Sequence, residues 1–150
     1  IKVDHKININ KNKYLNLLNI IANHILEKGK YDEALTEFKY LKIISNILEK
    51  NTFNFYCFAP LNGIASVYYK KGDYEKALEF YKKSLEIMKL AYANDPNHPD
   101  IASSLNNIAN VYSKKGDYEK ALEFHEKSLE MRKLAYANDP NHPDIASSLN

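Results

Sequence analysis

Polar side chains that can make hydrogen bonds recur at helical spacing in three stretches of the chain. Within each stretch they lie three or four residues apart, so each set would form a stripe along one face of a helix. An amide offers both a hydrogen-bond donor and an acceptor. Asparagine is also a poor helix former, so its recurrence needs a reason other than helix stability. The stripes are Asn16, Asn19 and Asn23; Asn62, Ser66 and Tyr69; and Ser103, Asn106, Asn110 and Ser113.

Two lysines and one further asparagine extend these stripes. Lys70 and Lys114 lie one turn further along the second and third stretches, where they would meet acidic groups of a bound molecule. Asn107 adds a second amide to the third stretch, whereas its counterparts are Gly63 and Ile20, so this asparagine does not recur. The alternative is that all these side chains only solvate the surface of the protein.

Five histidines raise the question of a metal site. Zinc prefers three or four converging His or Cys ligands, and each acidic loop of this chain offers one histidine. Aspartate and proline in these loops are typical of turns that set helix ends, so we expect no metal site. His24 and His125 stand alone on helices, where packing or surface roles are expected. The two loops carry Asp95, His98 and Asp100, and then Asp139, His142 and Asp144.

Catalytic signatures are missing from the sequence. It has no glycine-rich phosphate loop, and no serine or cysteine stands in a recognised nucleophile motif. The acidic residues are spaced as on solvated helix surfaces, where Glu123 and Lys127 form a typical pair four residues apart. We therefore predict that the chain is not an enzyme and has no catalytic residue and no cofactor.

The composition excludes further classes of protein. The chain has 150 residues, of which 45% are apolar and 27% charged, and its net charge is only +2. Lysine alternates with glutamate, so there is no basic field of the kind that nucleic acid or an anionic membrane requires. No apolar run approaches the roughly 20 residues that span a bilayer. Cys57 is the single cysteine, which is compatible with a reducing compartment, and we expect a cytoplasmic location.

The chain repeats itself. Residues 64–106 align with residues 108–150 without a gap, and 37 of the 43 positions are identical. A diverged copy lies upstream, where Gly-Lys-Tyr-Asp-Glu-Ala-Leu over residues 29–35 matches Gly-Asp-Tyr-Glu-Lys-Ala-Leu over residues 72–78. A repeat of this length indicates a stacked array of identical structural units.

Each repeat is predicted to contain two helices. In the third repeat, one helix begins near Pro99 and ends at Gly116, a residue that accepts a positive φ. A second helix begins near Tyr118 and cannot continue past Pro140. Apolar residues spaced three and four apart give each helix one buried face, and alanines recur where the two helices must approach closely. The fold class is therefore all-α.

The motifs within the repeats carry a family resemblance. In the third repeat, Ala109 and Tyr112 are followed by Gly-Asp-Tyr-x-x-Ala-Leu over residues 116–122, and this combination resembles the tetratricopeptide repeat. The loop Asp-Pro-Asn-His-Pro-Asp over residues 139–144 and the segment Leu-Asn-Asn-Ile-Ala over residues 105–109 are similar to the kinesin-light-chain subtype. The resemblance covers residues 14–150. Leucine replaces the family's usual aromatic residue in the first helix, at Leu18, Leu61 and Leu105.

The resemblance implies a right-handed superhelical α-solenoid of antiparallel helix pairs. The first helices would line its concave groove, and the asparagines there would bind the backbone of an extended peptide. The function implied is a protein-protein interaction scaffold or adaptor whose partner is a protein or peptide. Two alternatives are a regulatory sensor arm of a larger multidomain protein and, less favoured, an RNA-binding helical repeat, which usually has a shorter period and a basic groove.

The domain boundaries follow from the repeats. We predict repeats at about residues 14–50, 51–94 and 95–138, followed by the truncated start of a fourth. Residues 1–13 do not fit the pattern and are predicted to be an unstructured tail or linker, or a short strand. Because repeat arrays need polar caps, the last helix is expected to expose its apolar side and to allow self-association through that end.

Overall fold

Six α-helices, arranged as three consecutive pairs, can be bounded in the described part of the chain. The computed structural model describes residues 2–48, 55–137, 142, 143 and 145, with the side chains of residues 2–10 and 55 left out of the description. No strand occurs within these ranges, which confirms the predicted all-α class. The helices are α1 (Lys2–Glu27), α2 (Tyr31–Leu48), α3 (Phe55–Lys71), α4 (Tyr74–Ala91), α5 (Pro99–Lys115) and α6 (Tyr118–Ala135).

The first helix is longer than the sequence predicted. α1 begins at Lys2, so residues 2–13 are helical and the expectation of an unstructured tail or a short strand was wrong. Two contacts link residues 11 and 12 of this helix to the rest of the array. The Lys11 ammonium donates a hydrogen bond to the carbonyl of Leu48 at 3.3 Å, and the Tyr56 hydroxyl donates one to the carbonyl of Asn12 at 3.1 Å. Both partners are distant in sequence, which is why local spacing did not reveal them.

A glycine followed by an aspartate makes the tight turn inside the second and third pairs. Gly116 ends α5 with a φ of 82°, a left-handed backbone conformation that residues other than glycine rarely adopt. Asp117 then caps α6 by accepting a hydrogen bond from the backbone N–H of Lys120 at 3.3 Å, and it also pairs with the Lys120 ammonium at 2.7 Å. Asp73 caps α4 in the same way through Lys76.

Small residues lie where the two helices of a pair approach each other. The Ser84 hydroxyl on α4 donates a hydrogen bond to the carbonyl of Phe58 on α3 at 3.0 Å, and Ser128 on α6 donates one to the carbonyl of Ala102 on α5 at 2.7 Å. These hydroxyls are buried, so close helix contact and hydrogen-bond satisfaction are achieved together. The buried alanines of the three pairs are Ala22 and Ala34, Ala65 and Ala77, and Ala109 and Ala121.

Consecutive pairs stack because the first helix of one pair packs on the second helix of the pair before it. Between the first two pairs, the fully buried Phe38 ring on α2 lies against Gly63 on α3, where even a single added methyl group would overlap the ring. Ile64 and Val67, also on α3, are buried in the same apolar cluster. The first and second pairs therefore share one core.

The loop between the second and third pairs is ordered by a histidine. His98 caps α5 by accepting a hydrogen bond on Nδ1 from the backbone N–H of Asp100 at 3.1 Å. Its ring stacks on Tyr92, with centroids 3.6 Å apart and planes 6° from parallel. The Tyr92 hydroxyl donates a hydrogen bond to Asp100 Oδ2 at 2.7 Å, and burial together with this bond raises the pKa of Tyr92. Tyr136 and His142 form the same stack after the third pair.

α6 exposes side chains that its counterpart α4 buries. Leu122 on α6 is 59% exposed, whereas Leu78, at the same position on α4, is 5% exposed in a core cluster that includes residues of α3 and α5. Tyr118 is 71% exposed, so it does not fill the space beside Ala121 as a core residue would. Ile145 is buried, as is its counterpart Ile101. The exposed apolar side agrees with the sequence analysis, and self-association through it stays a prediction.

The contact between Gly63 and Phe38 can be tested by adding one methyl group. Alanine favours a helix over glycine by about 1 kcal/mol, but overpacking a filled core costs about 1–3 kcal/mol, so we expect Gly63→Ala to lower the free energy of unfolding. Urea unfolding followed by circular dichroism measures the change. In a Phe38→Leu background the same substitution should become neutral or stabilising, and a destabilisation of equal size there would contradict the proposed contact.

The aspartate caps make stability depend on pH. The hydrogen bonds from Lys76 and Lys120 lower the pKa values of Asp73 and Asp117 in the folded state. A lowered folded-state pKa gives stability that is present above the unfolded pKa, near about 4, and is lost as pH falls through the folded value. Replacing both residues by asparagine keeps a capping oxygen but removes the titrating charge. We expect the double variant to lose less stability than the wild type between about pH 6 and about pH 3, measured by urea midpoints, and equal losses would refute the assignment.

Candidate functional site

The residues that the sequence proposed for the groove lie on the first helices of the three pairs, α1, α3 and α5. None of them belongs to the fully buried core, so the first helices present a polar side to their surroundings. Seven are exposed, namely Asn16, Asn23, Lys70, Ser103, Asn110, Ser113 and Lys114. Six are half-buried, namely Asn19, Asn62, Ser66, Tyr69, Asn106 and Asn107.

Two of the predicted residues are bound by the second helix of their own pair. Ser66 on α3 shares a hydrogen bond of 2.9 Å with the Tyr81 hydroxyl on α4, and Asn106 Oδ1 on α5 lies 2.8 Å from His125 Nδ1 on α6. Tyr81 is 5% exposed, and its burial raises the pKa of its phenol. These bonds link the two helices of a pair, and they occupy atoms that the sequence had assigned to a ligand.

Sequence reasoning missed Tyr81 and His125 as polar partners of the first helices. The sequence did contain a signal, because the exchange of Tyr81 for His125 is one of the six differences between the two nearly identical copies. The hydrogen bond also moves along the first helix, from Ser66 in the second pair to Asn106 in the third, where the counterpart of Ser66 is Asn110. Asn110 thereby stays exposed.

The side-chain oxygen of Asn62 accepts no hydrogen bond from the rest of the described chain. Its Oδ1 atom is buried and has no hydrogen-bond partner there. Asn62 is the counterpart of Asn106, but in its pair Tyr81 bonds Ser66 instead. A buried oxygen without a donor costs about 1–3 kcal/mol, so an N–H group that reached Asn62 would be bound favourably.

In α1, two asparagines of the polar stripe are hydrogen-bonded to each other. Asn23 donates a hydrogen bond from Nδ2 to the backbone carbonyl of Asn19 at 2.8 Å, and its amide also lies 3.4 Å from Asn19 Oδ1. Asn16 is exposed. The structure therefore brings Asn19 and Asn23 together within one helix turn, where they form a local pair.

The most accessible part of the candidate site is the carboxyl half of α3 and of α5. On α5, Asn110, Ser113 and Lys114 are exposed one after another along the helix. On α3, Lys70 is exposed, while the half-buried Tyr69 ring packs against Tyr74 with centroids 5.9 Å apart. An exposed amide, a hydroxyl and two ammonium groups can bind carbonyl, amide and carboxylate groups. They offer hydrogen bonding and charge, with no arrangement for activating a nucleophile.

Other chemistries have little support in the described part of the chain. No three His, Cys, Asp or Glu side chains there are grouped to hold a metal ion. His98 and His142 instead stack on tyrosines, as described above. None of the described helices combines the length and the apolar character needed to cross a membrane.

Comparison with known proteins agrees with this architecture. A structure of BtubC (BKLC) from P. vanneervenii is 18% identical, covers 99% of this chain and 57% of that chain, and superposes with a TM-score of 0.78. A putative kinesin light chain with nearly identical TPR-like repeats from Podosopora anserina is 21% identical, covers 90% of this chain and 62% of that chain, and has a TM-score of 0.68.

A third similar structure is a complex. PcrH bound to the chaperone-binding region of PopB is 19% identical, covers 91% of this chain and 92% of PcrH, and has a TM-score of 0.62. At these identities the likeness establishes the fold. No curated protein matches the chain. The sequence model of the tetratricopeptide repeat matches residues 56–133, which is more than half of the chain. With three stacked helix pairs and this match, the chain belongs to the tetratricopeptide repeat family.

Proposed function

We propose that the chain is a scaffold or adaptor that binds an extended peptide segment of a partner protein along its first helices. Tetratricopeptide repeats typically form non-catalytic protein-interaction modules, and PcrH is one neighbour whose structure contains a segment of another protein. The observation that carries the proposal is the run of accessible polar groups on α3 and α5, from the half-buried amides to the exposed end of each helix.

The predicted residues have different roles in binding the peptide. Asn107, Asn110 and Ser113 keep their polar groups available, so these contact the peptide backbone directly. Ser66 and Asn106 act through the bonds to their second helices and hold the surface in shape. Asn62 Oδ1 accepts a backbone N–H once its side chain turns toward the ligand.

Charge sets a preference among ligands. Lys70 and Lys114 occupy the same place on α3 and α5, both are exposed, and neither makes an ion pair in the described part of the chain. They favour peptides with acidic groups toward this end of the groove. Interactions between exposed charges are screened by salt, so this preference weakens as ionic strength rises.

The test uses a peptide selected from a random peptide library displayed on phage and panned against the wild-type chain. We expect Asn107→Ala with Asn110→Ala to weaken binding of that peptide by about tenfold or more, because each amide supplies one or two net hydrogen bonds of about 0.5–1.5 kcal/mol. Isothermal titration calorimetry measures the affinity. Helical content should not fall, since alanine favours helix.

The control replaces two exposed residues of α6, Glu119→Ala with Lys133→Ala. This variant should bind the selected peptide as the wild type does. Equal affinity of the wild type and the Asn107 and Asn110 variant, with loss only in the α6 control, would show that the ligand uses the second helices and that the proposed groove is wrong.

A further inference from the structure

Two clefts lie between the second helices of neighbouring pairs, away from the polar stripes. The larger has a volume of about 570 Å³ and lies between α4 and α6 with α5 beneath it. The smaller, of about 360 Å³, lies between α2 and α4 with α3 beneath it. They form because each second helix packs on the first helices beside it and not on the next second helix.

The two clefts are the same feature in consecutive repeats. Ile64 lines the smaller cleft, and its counterpart Ile108 lines the larger one. Phe80 lies on the wall of the smaller cleft, and its counterpart Phe124 lies on the wall of the larger one. Each phenylalanine carries a lysine on its face: Lys83 Nζ lies 5.4 Å from the Phe80 centroid and Lys127 Nζ lies 5.3 Å from that of Phe124. The geometry thus recurs although the first repeat has diverged in sequence.

The interior of the larger cleft is apolar. Leu105 and Ile108 form its floor at 6% and 0% exposure, and Met131 is half-buried on its wall. Leu134 stands at its rim with 54% of its surface exposed. From Phe124 to Leu134 the wall runs for ten residues of α6, which is about 15 Å of helix. This length matches about three turns of a docked helix, whose side chains at every third or fourth position would enter the cleft.

The rims carry more positive than negative charge. Lys39 and Lys42 line the smaller cleft without any acidic residue, and neither makes an ion pair in the described chain. The larger cleft has three lysines and two glutamates. Lys127 is paired with Glu123. Lys82, whose ammonium donates a hydrogen bond to the Tyr112 hydroxyl at 3.0 Å, and Lys89 make no ion pair in the described chain and lie at the cleft beside Glu86 and Glu130. Acidic groups on a ligand would therefore find partners at both clefts.

We propose that these clefts dock an amphipathic helix of a partner protein, with leucine-like side chains on one face and acidic residues on its flanks. An apolar floor between two parallel walls selects a helix, and the lysine rim selects its charge. Such a ligand binds the second helices, so the first helices stay free to hold a peptide. One array can then join two partners.

The probe is a synthetic amphipathic helical peptide, acetylated and amidated, with leucine at helical spacing and glutamate on both flanks. A peptide with the same leucines and lysine in place of glutamate is the charge control. We expect saturable binding of the acidic peptide and at least fivefold weaker binding of the basic one, measured by fluorescence anisotropy. Methyl NMR should show shifts at Ile108 and Met131.

The repeat supplies matched control variants. Leu134 lines the larger cleft at 54% exposure, whereas its counterpart Leu90, at 57% exposure, lines neither cleft. We expect Leu134→Asn to weaken binding of the acidic peptide by about tenfold and Leu90→Asn to leave it unchanged. Lys89 and its counterpart Lys133 form a second pair, because only Lys89 lines a cleft. Lys89→Glu should weaken binding about fivefold, and Lys133→Glu should not.

Three results would overturn the proposal. The acidic peptide could fail to bind, the Leu90 and Leu134 variants could behave alike, or Lys89→Glu could abolish a dimer of the chain itself, which would make a second copy the occupant.

The Asn107 and Asn110 variant should bind the acidic peptide normally. A loss there would place the peptide on the first helices and would count for the proposed groove and against the clefts.

Discussion

The structure depends on one constraint, which is that a single pair of helices cannot bury both of its apolar sides. Alanines and hydrogen-bonded serines bring the helices of a pair close together, but this covers only the facing surfaces. The other side is buried by the next pair, as Phe38 is by α3 around Gly63. Leu122 on α6, which no further described helix pair covers, is exposed. Stacking therefore supplies burial that a single pair of helices lacks.

The same constraint creates two unlike surfaces. The first helices α3 and α5 each pack on two second helices, and the polar stripes lie on the sides that remain. The second helices are held apart by the first helix between them, and apolar clefts remain in the gaps. One surface suits a polar peptide backbone and the other suits the apolar side of a helix. The array thus offers two kinds of binding site without any change of fold.

Three of the six differences between the two nearly identical copies lie at buried or half-buried positions of the second helices. Tyr81 and His125 choose different hydrogen-bond partners on their first helices. Met88 is buried at 1% exposure, while Arg132 at the same position is half-buried. Met131, the counterpart of Ile87, lines the larger cleft.

Local sequence by itself determined the six helices, their pairing and the family. Glycine at the turn, proline at the start of α5 and apolar spacing act within a few residues, so they can be recognised without knowing the fold. Residues 2–13 were missed because the contacts of Lys11 and Asn12 reach residues 37 and 44 positions away. Tertiary structure alone likewise decided three other features. These are the hydrogen-bond partners of Ser66 and Asn106, the unpaired side-chain oxygen of Asn62, and the clefts between second helices. Each depends on the angle and distance between helices, and these quantities are set by packing across the whole array.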